Sequence, residues 1–291
     1  MQVPSPFEYE RASSVDEAIA LLQRHGEGAR LIAGGHSLLP LMKLRLASPE
    51  VLVDINALTD LQRIRVEADA VRIGAMVRHA ELLASAVVGE HFRLLHEAEQ
   101  VIADPAVRNR GTVGGSLCQA DPAEDLSAAF GALRAEVVIR GAGGERVVPV
   151  RELVTGPYET VVAPDEILTE VRVPIRPGTG SSYRKVERRA GDWPIASAGA
   201  VVRLEGDTIA EVGIGLAAVG AAHSVVRGAE DAIRGRAADE ESIELAAVRA
   251  SEECSPTTDQ RGPADYKRAL VAELVRRVLR TAIARSRGEE A

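Results

Sequence analysis

Aromatic side chains are scarce in this chain: one Trp, three Phe and four Tyr among 291 residues. Its core must therefore be built from Ala, Val, Leu and Ile. Cysteine is nearly absent as well. The two thiols, Cys118 and Cys254, lie far apart and belong to no CxxC pair. A structural zinc or an iron–sulfur cluster needs several thiolate or imidazole ligands, so no metal site of the chain's own is expected. Two distant thiols suit a reducing compartment, and the expected location is cytoplasmic. No apolar run approaches the length of a membrane span. Met1 to Pro6 shows no basic segment followed by an apolar one, so no signal peptide is read there. Positive charge is not in excess either: the net charge is −8, which argues against general nucleic-acid binding.

What the chain does have is glycine in pairs. One pair sits in Leu31-Ile32-Ala33-Gly34-Gly35-His36-Ser37-Leu38, the other in Thr112-Val113-Gly114-Gly115-Ser116. Glycine lets a backbone turn with positive φ and approach a ligand with no Cβ in the way. Successive N–H groups in such turns converge on anions, and Ser37, Thr112 and Ser116 add hydroxyl groups. One such loop is usually only a turn. Two in one chain suggest two jaws on one diphosphate.

The chain length suits about two domains. Residues 13–26 read as a helix, with Ser14 as N-cap and Glu17 completing a capping box. Residues 30–33 read as a buried strand entering the first glycine pair. A short helix over 38–46 and a strand over 51–55 complete a βαβ-like unit. Further on, 71–75 reads as a strand, while 79–86, 92–100 and 126–133 read as helices. A hairpin is predicted over 136–140 and 146–150, with Pro149 marking an edge strand. Residues 167–173 alternate as a strand. Pro174 to Ser182 reads as a linker. Beyond it come strands at 183–189, 196–204 and 211–219, then helices at about 229–235, 240–253 and 264–286.

Several tempting features have plainer readings. Gly213-Ile214-Gly215 and the residues after it imitate a dinucleotide fingerprint, but the glycines fall inside a strand pattern with no helix start behind them. The six histidines, His25, His36, His79, His91, His96 and His223, show no metal spacing and read mostly as surface residues. His36 either hydrogen-bonds a ligand or caps its own turn. Cys118 reads as a buried, inert thiol. The basic run from Arg184 to Arg189 reads as a solvated strand face. Trp193 either stacks on a flat ring or fills a gap in an aromatic-poor core.

AGGHSLLPLMKLRL (33–46), RNRGTVGGSLCQADPAED (108–125) and PDEIL (164–168) together resemble the FAD-binding subunit of the molybdenum hydroxylases, the xanthine dehydrogenase and aerobic carbon monoxide dehydrogenase family. The resemblance spans nearly the whole chain. It is most similar to the free-standing medium subunit of the carbon monoxide dehydrogenase type, which His36 and Ser116 also resemble. It implies an α+β architecture: a two-subdomain FAD-binding fold of the vanillyl-alcohol-oxidase/PCMH-like kind, then a C-terminal domain of three antiparallel strands and three helices. The expected divisions are 1–57, 58–176 and 177–291.

Matched residue by residue, the resemblance implies that Leu31, Ile32, Ala33, Gly34, Gly35, His36, Ser37 and Leu38 form one diphosphate loop. Thr112, Val113, Gly114, Gly115 and Ser116 form the other. Ile102, Asp125, Leu168 and Lys185 match further cofactor contacts, and Trp193 falls where relatives place a ring residue near the isoalloxazine. No catalytic residue is implied. FAD is expected to be non-covalent. The molybdenum cofactor and [2Fe–2S] clusters belong to partner subunits, a large and a small one, in a dimer of heterotrimers. Electrons would pass from the clusters through FAD to an external acceptor. The alternatives are a stand-alone flavin reductase or oxidase of the same fold and a scaffold subunit without FAD. On the diphosphate reading, Gly35→Val or Gly115→Val abolishes FAD retention in a chain that still folds. Full flavin occupancy in both variants would refute it.

Overall fold

The computed structural model describes residues 3–220 and 224–289. His223 and the last two residues of the tail, Glu290 and Ala291, fall outside them.

The first unit is a small parallel sheet. Strand Val51–Asp54 lies in the middle, flanked by Glu8–Arg11 and Ala29–Ile32. Helix Val15–His25 has the predicted N-cap, Ser14 accepting the Glu17 N–H at 3.0 Å, but the Glu17 carboxylate accepts the Ser13 N–H at 2.7 Å, one residue before the N–H a capping box would use. Its apolar stripe, Ala18, Ile19, Leu21 and Leu22, covers the sheet. Strand Glu8–Arg11 is a gain over the sequence reading. It is polar and mostly exposed, and only parallel pairing to Val51–Asp54 identifies it.

The second unit is a five-stranded antiparallel sheet. Its order is Ile64–Glu67, Ala70–Gly74, Ile167–Pro174, Glu136–Gly141, Gly144–Pro149. The strand carrying Pro149 is indeed at the edge, where a missing N–H costs no ladder bond. Helices follow in a run: His79–Ala84, Ala86–His91, Arg93–Val101, Pro105–Arg108, Val113–Gln119 and Asp125–Ala132. The helix expected over 79–86 ends at Ala84, because Ser85 leaves helical geometry and caps the next helix through the Val88 N–H.

The third unit is an antiparallel sheet of Thr179–Val186, Ala196–Glu205 and Thr208–Ala217. Helices Arg227–Ile233, Glu240–Glu253 and Ala264–Ser286 complete it. The predicted linker over 174–182 is corrected here. One strand runs to Pro174 and the next begins at Thr179, so only four residues connect them. The glycine and serines were misleading. A Cβ on Gly180 would collide with the Ala282 carbonyl, so the small residue lets the C-terminal helix close on the sheet. Gly213 and Gly215 do the same for the opposite face, where a Cβ would strike the Ala132 and Ala128 carbonyls of helix Asp125–Ala132. These strand glycines therefore serve packing and bind no dinucleotide.

Both faces of this third sheet are thus covered. Ala196, Ala198, Ala200 and Val202 face the C-terminal helices. Tyr183, Val201 and Ala217 join the core of the second unit. A buried ion pair fastens the two: Arg151 donates to both Glu230 carboxylate oxygens at 2.8 and 2.6 Å and to the Gly131 carbonyl at 2.7 Å. Glu230 also accepts the Ile214 N–H at 2.8 Å. Removing one partner strands a buried charge, which typically costs about 3–5 kcal/mol. Glu230→Ala should lower unfolding free energy by about that much in urea titration. Arg280→Ala, at the exposed Arg280–Glu240 pair, should cost under about 1 kcal/mol. Equal losses in the two variants would contradict the fastening role.

Candidate functional site

The two glycine loops touch. A Cβ on Gly34 would collide with the Arg110 carbonyl and lie 2.8 Å from the Gly111 Cα. A polar chain holds the loops in that contact. Tyr9 donates to Asp54, and Asp54 accepts the Asn56 N–H at 2.7 Å. The Asn56 side chain donates to the Ala33 carbonyl at 2.9 Å and accepts from Arg78 at 2.6 Å. Arg78 also donates to the Arg110 carbonyl. Burial alone would raise the Asp54 carboxyl, but hydrogen bonds from Tyr9 and Asn56 outweigh it and hold the group below its ordinary range.

The first loop leaves donors open. Gly35 has φ +75°, the left-handed region that favours glycine. Among the described residues, the backbone N–H groups of Gly34, Gly35, His36 and Ser37 donate to no protein acceptor. The Ser37 hydroxyl makes no capping bond and is exposed. His36 Nδ1 lies 3.2 Å from the Gly34 carbonyl, so its exposed ring caps its own turn. Leu31 and Ile32 lie in strand Ala29–Ile32, and Leu38 opens helix Leu38–Lys43.

The second loop is wired differently. The amides from Val113 to Ser116 are already satisfied: Val113 on the Val77 carbonyl at 3.0 Å, Gly114 on Ala75 at 2.8 Å and Ser116 on Thr112 at 3.0 Å. Gly115 donates to the Thr112 hydroxyl at 3.1 Å. Gly114 presses on Ala75, where a Cβ would come within 2.6 Å of the Ala75 Cβ. Gly115 is exposed, and the Ser116 hydroxyl lies 3.2 Å from His79 Nε2. This loop offers a bare surface and one adjustable hydroxyl.

Asp125 and Lys185 come together in a second group beside the Val101 carbonyl, next to Ile102 in the chain. Lys185 Nζ donates to the Val101 carbonyl at 2.9 Å and to Asp125 at 3.0 Å. Asp125 also accepts from Tyr183 at 2.6 Å and Ser197 at 3.1 Å. Burial and the Asp125 charge raise the Tyr183 phenol well above its usual range, so it remains a donor. A Cβ on Gly191 would sit 3.0 Å from the Ala103 carbonyl, which brings the Trp193 turn beside Ile102. Trp193 itself is 46% exposed and stacks on no ring among the described residues. Leu168 is buried at a register shift in the central strand, so its side chain belongs to the core.

Three expectations change. Lys185, in the run read as a solvated face, has a side chain only 2% exposed. His79 is buried, although most histidines were read as surface residues. Cys118 is exposed, although a buried thiol was expected; the protein crowded around it still desolvates the thiol and pushes it up to about 12. Sequence reasoning passed over Asn56, Arg78, His79, Glu99, Tyr183 and Ser197, none of which stands in a recognisable spacing. It also passed over Glu187, whose Oε2 is buried without a hydrogen-bond partner 3.5 Å from Lys185 Nζ. A groove of about 550 Å³ lies elsewhere. It runs beneath the start of helix Val15–His25 and contains none of the predicted cofactor residues. Arg65, Arg72 and Arg172 there all pair with Glu170.

The contact between the loops is open to direct test. Gly34→Ala forces them apart at the Arg110 carbonyl, and it should abolish flavin retention while circular dichroism stays native. A variant that keeps full flavin occupancy would show that loop contact is dispensable.

Comparison with known proteins bears on what the site holds. Residues 5–176 match the FAD binding domain in molybdopterin dehydrogenase, and residues 181–282 match the CO dehydrogenase flavoprotein C-terminal domain. The chain is 42% identical over 284 residues to the carbon monoxide dehydrogenase medium chain of Hydrogenophaga pseudoflava, covering 97% of this chain and 99% of that one. It is 34% identical to the glyceraldehyde dehydrogenase medium chain of Sulfolobus acidocaldarius, covering 93% and 96%. A solved structure of the Hydrogenophaga pseudoflava carbon monoxide dehydrogenase, lacking the Mo-pyranopterin moiety of its cofactor, superimposes with a TM-score of 0.94 at 43% identity over 97% of this chain and 99% of that one. The chain therefore belongs to the family of FAD-binding medium subunits of the molybdenum-containing dehydrogenases, carbon monoxide dehydrogenase type, and is an oxidoreductase subunit.

Proposed function

We propose that this chain is the electron-transfer subunit of its complex. It accepts electrons from the [2Fe–2S] clusters of a small partner subunit, after a large molybdenum subunit has oxidised the substrate, and passes them to an external acceptor. One observation carries the reading: two glycine loops in contact, one with a row of open backbone donors, beside a buried cluster of Asp125, Lys185, Tyr183 and Ser197. A diphosphate fits the open amides of residues 34–37, the hydroxyls of Ser37 and Ser116, and the bare backbone at Gly115. Bound FAD supplies the redox chemistry.

The chain's own residues bind and orient. Asp125 is held as an acceptor by Lys185, Tyr183 and Ser197, so any cofactor hydroxyl would meet a pre-oriented carboxylate. Glu187 Oε2 is a further acceptor. Trp193 offers an exposed flat face for an isoalloxazine. Leu168 would contribute through its backbone at the register shift. Cys118, the one thiol near the loops, is protonated at neutral pH and a poor nucleophile there. In this proposal FAD is held without a covalent bond. The divisions at 57/58 and 176/177, the dimer of heterotrimers and a cytoplasmic location belong to the same proposal. Among the described residues, no helix is long and apolar enough to cross a membrane.

The test is the visible spectrum of the purified protein before and after denaturation, with its co-purifying chains identified. Released FAD together with molybdenum and [2Fe–2S] partners is the expected result. FAD without partners would favour a stand-alone flavoenzyme. A colourless chain that takes up no added FAD would sink the proposal.

A further inference from the structure

A buried relay stands behind the second loop. The Ser116 hydroxyl lies 3.2 Å from His79 Nε2, and His79 Nδ1 lies 3.0 and 3.1 Å from the two oxygens of Glu99. His79 is 3% exposed and Glu99 is fully buried. Facing this pair are Arg108, from helix Pro105–Arg108, and Glu124 and Asp125, at the start of helix Asp125–Ala132. Burial raises the Glu99 carboxyl while His79 beside it favours the carboxylate; with Glu99 ionised, Nδ1 donates to it, and the state of Nε2 then decides which way the serine hydroxyl points. On a neutral ring Nε2 is an acceptor. Ser116 then donates inward and turns only lone pairs toward the loop. On an imidazolium Nε2 donates to Ser116 Oγ, and the hydroxyl proton is free to point outward.

Resting on the reading of Thr112–Ser116 as a diphosphate loop, we propose that the His79–Glu99 pair sets the donor direction of Ser116, so that FAD binding takes up one proton from solvent onto His79 Nε2. The second loop has few other donors to give, because the amides of Val113 to Ser116 are bonded within the protein. Ser116 is thus a binding group with a switchable polarity, and His79 and Glu99 are positioning residues. Burial disfavours the imidazolium, but the Glu99 charge and hydrogen bond outweigh it and raise His79 above its ordinary value. Affinity is then full below the raised value and falls as pH rises through it, by about tenfold per pH unit for one linked proton.

Glu124 complicates a bare pH profile, since burial raises its carboxyl to about 7. The Ser116→Ala variant separates the two, because it leaves both His79 and Glu124 in place. FAD binding to the full chain stripped of flavin is followed by fluorescence quenching from pH 6 to 9. Calorimetry in buffers of different ionisation enthalpy counts the protons. The wild type should take up a proton on binding once the pH exceeds the raised His79 value, and the variant none. Ser116→Ala should bind FAD about tenfold or more weakly at pH 6, where a donor to a charged group is lost, and no more weakly at pH 9. Ser116→Thr restores the pH-dependent profile. In His79→Gln/Glu99→Gln the proton uptake disappears. A deficit in Ser116→Ala that is equal at both pH values, or an unchanged proton count, overturns the inference and leaves the proposed function standing. Failure of the wild type to bind FAD at any pH overturns both.

Discussion

The contact between Gly34 and the Arg110 carbonyl is the constraint on which the rest of this structure depends. Two backbones meet there with no side chain between them, so side-chain packing at the contact itself does not hold them. Hydrogen bonds do that work, and each contributes only about 1 kcal/mol net. The arrangement therefore uses several in series, from Tyr9 through Asp54 and Asn56 to Arg78. Their order matters. Asp54 ends the central strand of the parallel sheet, while Arg78 precedes the first helix after the antiparallel sheet. The clamp thus converts the relative placement of two sheets into the relative placement of two loops. Met76 and Ile167, which belong to the second unit, pack into the core of the first and stop the sheets from drifting.

Scarcity of aromatic residues has its counterpart in the third sheet. This sheet is pressed between helices on both faces, and the approach is closest where the strands carry Gly180, Gly213 and Gly215. Large side chains would hold the helices off. Alanine and valine in the middle strand keep the layer thin. Tyr183, a large residue on the inner face, has its phenol turned to Asp125 and Ser197. A buried carboxylate is costly unless paired and hydrogen-bonded, and here it has an ammonium and two hydroxyls. Thin packing and the Arg151–Glu230 fastening deliver those partners from different strands to one point.

Much of this was legible in the sequence, and the misses share a cause. The glycine loops, the Ser14 cap, the hairpin ending at Pro149 and the C-terminal helices all rest on local signals: φ preference, capping and periodicity. The loop-to-loop clamp rests on Asn56 and Arg78, residues ordinary in type and unremarkable in spacing. Strand Glu8–Arg11 is polar and stable only as a pairing partner. Thr179 to Ser182 looked like a linker because small residues serve loops and close packing equally well, and only the helix lying on Gly180 tells them apart. Lys185 looked solvated because a run of basic residues usually is. Its burial follows from Asp125, sixty positions away.

The two loops resemble each other in sequence and differ in how they would meet an anion. The first keeps four backbone amides free, and backbone amides are fixed donors whose state no proton changes. The second has its amides bonded to Val77, Ala75 and Thr112, which anchors it rigidly to the sheet and to its own turn. Rigid placement of that loop therefore occupies the fixed donors of Val113 to Ser116. What remains is a serine hydroxyl, and a hydroxyl can face either way. Left to itself it would offer a donor or a lone pair with little preference. A buried histidine against a buried carboxylate is the smallest device that gives it a direction, since the ring nitrogen nearest Ser116 is a donor or an acceptor according to one proton. The cost of burying Glu99 is consistent with that role: a carboxylate is stabilising there only while His79 answers it, so the pair is held to the geometry that orients the hydroxyl.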